Sequence, residues 1–594
     1  MRRGIGLRVA LLALVGLGLA VVATRSYVDT EPGAAGERGD AKAIGRAGDP
    51  RLGGTVFVER AGASGLVFVH DTGATGKHYF PEIMGSGCGL LDYDGDGDLD
   101  VYLVQSGPIG SRSTGSGEAG SNRLFRNELD PNDPNGTLRF TDVTEIAGVG
   151  DAGYGMGCAV GDYDNDGDPD LFVTNFGESR LYRNAGDGTF REVTTEARLR
   201  VHGWATSASF ADFDNDGHLD LFIGFYVKYR LGSNWGCKTA TGAPDYCGPL
   251  NYPAAQSRLY RNDGAGHFED VTASSGLMGS ERHTLGVACG DLNGDGRIDL
   301  FLANDGDGNQ LWINQGGWRF VDQATVAGVA YSATGQGEAG MGVAIGDADS
   351  DGDDDVFVTH LAGEKDTLYT MQRPGIFEDL TARSGLSAPS LPMTGFGTEW
   401  IDYDNDGRLD LFTTNGAVTR VLDQPQDGYP FRQLDQLFRN VGGGRFVDVS
   451  ASAGEPFSTP AVGRGAAFGD IDNDGDVDIV VSYSNGPARL LLNRVGQEHP
   501  WLRIRTVGTT SNRDGIGARV ILKDSRGGRR HRHVHRDGSY LSAGDVRVHF
   551  GLGETGNADQ VIVEWPTGRR EIWTVAGVNV ELTLTEGRGL ALEM

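Results

Sequence analysis

The sequence predicts an all-β protein: a seven-bladed β-propeller with a C-terminal β-sandwich-like domain. Three observations carry this: an acidic nine-residue loop that recurs seven times, a four-strand pattern around each copy, and chain ends that complement one another.

The loops are DYDGDGDLD from 92, DYDNDGDPD from 162, DFDNDGHLD from 212, DLNGDGRID from 291, DADSDGDDD from 347, DYDNDGRLD from 402 and DIDNDGDVD from 470. Positions 1, 5 and 9 are always Asp, position 6 is always Gly, and position 3 is Asp except at Asn293. Such crowded charge repels itself in water unless a cation neutralises it. The pattern is that of a calcium loop with side-chain oxygens from positions 1, 3, 5 and 9, a backbone carbonyl from position 7, and a glycine for the sharp turn. Calcium is a hard cation that takes six to eight oxygens.

The expected side-chain ligands are therefore Asp92, Asp94, Asp96 and Asp100, then Asp162, Asp164, Asp166 and Asp170, then Asp212, Asp214, Asp216 and Asp220. They continue with Asp291, Asn293, Asp295 and Asp299, then Asp347, Asp349, Asp351 and Asp355. Asp402, Asp404, Asp406 and Asp410, then Asp470, Asp472, Asp474 and Asp478, complete the set. Position 7 holds Asp98, Asp168, His218, Arg297, Asp353, Arg408 and Asp476, so its carbonyl and not its side chain is the expected ligand. Up to seven Ca²⁺ ions are expected, one per blade. A solvated acidic turn explains one such run, but not seven with the same fixed positions. An EF-hand is excluded, because the position of its bidentate Glu holds Leu103, Val173, Ile223, Leu302, Val358, Thr413 or Val481.

The repeat is well seen at 156–194, where MGCAVGD, DLFVT, RLYRN and TFREVT read as four strands. The calcium loop joins the first two and AGDGT the last two. The chain opens with TVFVERAGASGL (55–66), a fourth strand with no first three, and the last repeat stops at ARLLLNR (488–494). The first fragment is expected to complete the seventh blade and leave no unpaired ring edge. The propeller is placed at 54–495 and the C-terminal domain at 500–586.

The 594 residues exceed one ordinary core. A net charge of −30 makes nucleic acid an unsuitable partner. Residues 1–23 have a basic start and an apolar stretch from Val9, with Val21 and Ala23 small as a signal peptidase requires. They are read as a signal peptide cleaved after Ala23, with a flexible linker at 24–53. An uncleaved anchor is the alternative, and the one route to a membrane. The expected location is extracytoplasmic: secreted, periplasmic or cell surface.

The units resemble the FG-GAP/VCBS repeats of integrin α-subunit propellers. From about 54 to 585 the chain is similar to the cartilage acidic protein family, which ends in an ASPIC/UnbV domain. That last match rests on WLRIRTVGTTSNRDGIGARV (501–520) and DGSYLSAGDVRVHFGLG (537–553). The resemblance implies blade calcium and an extracellular role, and supplies no reaction. It also shows a C…YCGP pattern like Cys247-Gly248-Pro249 here. An oxidising compartment and the entropy gained by closing a short loop, about 3 kcal/mol, add to it, and a Cys237–Cys247 disulfide is expected. Cys88, Cys158 and Cys289 lie just before calcium loops and read as buried small residues.

In the C-terminal segment, RRHRHVHR (529–536) puts His531, His533 and His535 on one strand face, with Arg530, Arg532 and Arg536 opposite. Three such histidines could hold zinc or copper and the arginines an acidic glycan. The preferred reading is a solvated basic edge strand that discourages aggregation.

No HExxH, CxxC, Walker A or GxSxG motif is present. The expectation is a protein without catalysis that binds an extracellular protein or glycan. The alternative is a calcium-dependent polysaccharide lyase or hydrolase, for which His70, Lys77, His78 and Glu82 are the best candidates, but the preferred reading is that these residues shape the loop leading into blade one. Successive connections in a four-stranded blade alternate between faces, so the long insertions at 105–121, 226–257 and 416–434 are expected opposite the calcium loops. They carry Trp235, Tyr246, Tyr252 and Tyr429, side chains suited to contact a ligand.

Overall fold

The computed structural model describes residues 55–592, apart from 110–119, 130–136, 240–241, 420–429 and 525. The expected signal peptide and linker, and Tyr429, lie outside the described residues. Among the described residues, the strands from Phe57 to Asn493 fall into seven antiparallel groups of four. Blade two shows the plan: Gly155–Gly161, Asp170–Glu178, Arg180–Asn184 and Phe190–Glu192, each paired with the next. Its second strand runs long and also pairs with the first strand of blade three through His202–Trp204, which merges the two blades into one sheet. The first strands of successive blades neighbour one another around a closed ring. In blade seven the outermost strand is Phe57–Glu59, paired with Arg489–Asn493 at the other end of the propeller.

The second strands are buried within the ring, as in Leu221–Phe225 and Leu300–Ala303, and only the Phe176–Glu178 extension of blade two reaches solvent. Apolar residues on both faces of each blade pack against its two neighbours, and that packing sets the near-continuous hydrophobic runs seen in the sequence. Both positions 4 and 6 of every acidic loop have a positive φ, for example Asn165 at 60° and Gly167 at 105°. Position 4 is accordingly Gly, Asn or Ser in all seven copies.

A polar ring reinforces the apolar one. The Asn that ends the third strand donates its amide to a backbone carbonyl in the loop of the preceding blade. Asn184 donates to Tyr93 at 2.8 Å, Asn262 to Tyr163 at 2.7 Å and Asn314 to Phe213 at 2.8 Å. Asn440 donates to Ala348, Asn493 to Tyr403 and Asn127 across the closure to Ile471, at 2.8, 2.8 and 2.9 Å. Blade five has Met371 at this position and lacks the link. Replacing Asn262 by Ala should leave the buried carbonyls of Tyr163 and Leu219 without this donor. The expected cost is about 2 kcal/mol, read as roughly thirtyfold faster hydrogen exchange at that blade junction.

The C-terminal domain is two packed sheets. One orders Val548–Gly551, Trp501–Val507 and Val580–Thr585, the last pair parallel. The other orders Arg529–His533, Arg519–Lys523, Gln560–Glu564, Arg570–Thr574 and Leu590–Ala591. Leu502, Ile504, Val520, Phe550, Val563 and Trp565 fill the space between them. No described helix is long and apolar enough to cross a membrane.

Candidate metal loops and the interdomain cavity

Each acidic loop is wound around its first carboxylate. In blade two, Asp162 accepts the N–H of Asp166 at 3.1 Å and of Gly167 at 2.8 Å, and Asp166 accepts the N–H of Asp168 at 3.0 Å. Asp170, at position 9, accepts from Tyr163 N at 3.1 Å and Asn184 N at 2.8 Å, tying the loop to the third strand. Carboxylate oxygens of Asp92, Asp94 and Asp96 lie within 4.8 Å of one another, as do those of Asp162, Asp164 and Asp170, of Asp212, Asp214 and Asp220, and of Asp347, Asp349 and Asp351.

These clusters suit a hard cation. Buried oxygens of Asp92, Asp164, Asp214, Asp402, Asp472 and Asp474 have no hydrogen-bond partner among the described residues. Burial pushes the carboxyls of Asp162, Asp212 and Asp402 up to about 7, with neighbouring acids adding to it. An orphaned carboxylate oxygen surrounded by like charge is a place for a cation. In blades four and six the guanidinium at position 7 folds back onto the position 5 carboxylate, Arg297 on Asp295 and Arg408 on Asp406.

The C-terminal domain sits on this loop face. Arg503 pairs with Asp470, Gly551 N donates to Asp402 Oδ2 at 3.1 Å, and His531 Nδ1 lies 3.5 Å from Asp347 Oδ2. Each of these carboxylates is position 1 of its loop. Arg513 N donates to Asn165 Oδ1 in blade two at 2.8 Å.

The segment 537–545 enters the centre of the ring. Val343 and Ser539 exchange backbone hydrogen bonds, Cys158 N donates to Leu541 O at 3.1 Å, and Ala543 bonds Cys88 and Leu90. Tyr540 and Leu541 are fully buried against Trp204, Phe396, Met156 and Met341. Burying each side chain is worth about 1.5–3 kcal/mol.

This docking overturns the solvated reading of RRHRHVHR. The strand is a sheet edge, but its side chains reach the loops of blades five and six, so His531 is 4% exposed. His531 and His533 both meet Asp354, at 2.9 and 2.7 Å. His535 diverges to Asp537, and Arg530 donates to Gly551 O at 2.5 Å. Arg536 donates to the carbonyls of Leu90 and Gly544. Between the domains lies a cavity of about 140 Å³, bordered by Glu399, Asp402, His533, His535, Arg532 and Arg547 among others. His535 keeps 32% of its side chain exposed because it faces that cavity. Burial disfavours its charge, but Asp537 and Glu399 outweigh this and raise it to about 9.

On the opposite face, Cys237 and Cys247 are joined, with an S–S distance of 2.00 Å, which fits an oxidising compartment. Cys88 and Cys158 are free and buried, and Cys289 is free and half-buried. Trp235 is 72% exposed. Tyr252, expected to contact a ligand, is instead buried and stacked on Phe80 at 5.6 Å. Glu82 accepts from Thr75 Oγ1 at 2.8 Å and Tyr246 Oη at 3.0 Å, fastening the 71–79 segment to the disulfide-bearing insertion. His70 is buried beside Ser106, and burial, with Arg464 adding to it, lowers it to about 3. Lys77 is exposed, and the His78 ring lies 5.0 Å from that of Tyr246. Glu82 and His78 thus both reach Tyr246, while His70 contacts Ser106. Sequence reasoning missed Asp354, although position 8 of the loop is Leu, Pro, Ile or Val in the other six copies and the lone Asp there was the available signal.

The ring of meanders and its seven uniform acidic loops define an FG-GAP-type β-propeller. FG-GAP-like repeat models match residues 92–173, 162–223, 241–302, 291–358, 347–413 and 425–481, and an ASPIC and UnbV model matches 508–591. With more than half its length so matched, the chain belongs to the FG-GAP-repeat family and carries a C-terminal ASPIC/UnbV domain. It is similar to cartilage acidic protein 1 of Mus musculus, 26% identical over 53% of this chain and 47% of that protein. It is also similar to the Xenopus tropicalis protein, 28% identical over 52% and 38%, and the Homo sapiens protein, 26% identical over 52% and 37%. The chain spans less than half the length of these curated relatives. Similar solved structures include an Agrocybe aegerita lectin described as recognising non-reducing terminal N-acetylglucosamine, 18% identical, TM-score 0.34, covering 61% of this chain and 79% of that one. BBS1N in complex with ARL6DN is 11% identical, TM-score 0.37, covering 69% and 92%.

Proposed function

We propose that this protein is a secreted calcium-binding propeller that acts in extracellular binding or adhesion, without catalysis. Calcium at positions 1, 3, 5 and 9 of the loops, with the position 7 carbonyl, holds the blades and seats the C-terminal domain. When bound, it supplies positive charge to carboxylates that otherwise repel. The family membership and the disulfide support the extracellular reading.

One observation carries the choice of binding surface: the C-terminal domain occupies the loop face. The opposite face is left with the disulfide-pinned insertion, where Trp235 stands exposed. An exposed large aromatic on a loop held by a crosslink is suited to stack on a sugar or anchor a protein at low entropic cost. Deleting residues 232–250 should abolish the signals that the intact protein gives on glycan and extracellular-protein arrays, while leaving the calcium-dependent melt nearly unchanged. Signals that survive the deletion, or turnover of polysaccharides by the intact protein, would overturn this reading.

A further inference from the structure

We propose that Asp354, His531 and His533 form a site for one divalent first-row transition ion, distinct from the calcium positions of the loops and open toward the interdomain cavity. The donors come from two domains: Asp354 from the loop of blade five, and both histidines from alternate positions of one strand, which places them on the same face. One ligand atom from each lies within 4.8 Å of the others. His531 Nε2 is 2.9 Å from Asp354 Oδ1, and His533 Nε2 is 2.7 Å from Asp354 Oδ2. Bonds of about 2.0–2.2 Å from zinc to nitrogen and oxygen would need only small adjustments of these separations.

Two details separate this cluster from an ordinary ion pair. The His533 nitrogen, despite its 2.7 Å approach, makes no aligned hydrogen bond among the described residues. It is near the carboxylate without being aimed at it, as donors around a shared central ion are. The second nitrogen of His531 lies 3.5 Å from Asp347 Oδ2, an outer carboxylate of the kind that orients metal-bound imidazoles. Asp354 and His531 are 6% and 4% exposed, so bulk water does not compete freely for them.

The donor chemistry chooses the ion. Two imidazoles and one carboxylate suit zinc, iron or copper and not calcium, which takes oxygen ligands. Three protein donors leave positions free, and all three residues border the 140 Å³ cavity. Arg532 borders it too, with Nε and Nη2 unpartnered among the described residues, so the cavity has donors for a small anion beside the ion.

The test uses the full chain, kept in calcium throughout, and titrates Zn²⁺ by equilibrium dialysis with elemental analysis. Co²⁺ serves as a visible-spectrum reporter of coordination by nitrogen and oxygen. One Zn²⁺ per chain is expected, with affinity falling at least ~10–100-fold in His533→Ala, while His535→Ala binds as the parent does. Asp354→Asn should behave like His533→Ala, and melting in calcium checks that each variant is folded. No zinc on the parent protein, or equal zinc on the parent and His533→Ala, would overturn the proposal and leave the cluster as a hydrogen-bonded clasp between domains.

Discussion

Stripping calcium is expected to lower the melting temperature sharply and to open the blades to protease. A site filled at a hundred times its dissociation constant adds about 2.7 kcal/mol. Losing three such sites together therefore rivals the total stability of a typical domain, about 5–15 kcal/mol. Within blade two, Asp166→Ala should cost more than Asp168→Ala. The Asp166 carboxylate is turned into the loop, where it accepts the Asp168 N–H, whereas the expected contribution of Asp168 is its carbonyl.

The stripped protein should also have an inverted pH dependence. Asp162, Asp212 and Asp402 are pushed up to about 7 from 3.8, chiefly by burial. Carboxyls raised in this way contribute stability that is complete below about 4 and lost as the pH rises through about 7. The calcium-free melt should therefore be higher at pH 5 than at pH 8, and calcium should remove that difference. A melt unchanged after verified removal of bound calcium would show that the loops hold without it.

Gly87→Ala is expected to unseat the central segment. A Cβ at Gly87 would lie 1.7 Å from Leu541 O, a backbone atom that cannot step aside alone. The cost should reach about 3 kcal/mol, with new cleavage between 537 and 545 in limited proteolysis. Gly62→Ala, where a Cβ meets nothing within 4 Å, is the matched control. If Gly87→Ala melts and resists protease as the parent does, the segment does not sit against Gly87 in solution.

The propeller was legible because its information is local and repeated. Seven loops share their fixed positions, and the strand periods beside them are short-range signals. The turn at position 6 was legible too, since its invariant Gly has the positive φ that a sharp turn requires. The docking of the C-terminal domain was not legible. It depends on pairs such as Arg503 with Asp470 and His531 with Asp354, whose partners lie far apart in the chain, so that no local pattern joins them. RRHRHVHR misled for the same reason: an edge strand rich in charge reads as solvated unless the acidic surface that covers it is known. Tyr252 misled because a long loop can turn an aromatic inward, here onto Phe80.

The pairing of Phe57 with Asn493 has a consequence for biosynthesis. Chains emerge from the ribosome N-terminus first, at about 5–20 residues per second, so the opening strand precedes its partner by on the order of a minute. Through that interval Phe57–Glu59 has an open edge able to pair with the wrong chain. Residues 537–545 come later still, so the ring's centre is filled last. A nascent chain stalled before Asn493 therefore presents both an unpaired strand and an open apolar hub, and one stalled between Asn493 and Leu541 still presents the hub. Those are the surfaces on which a holding chaperone would act.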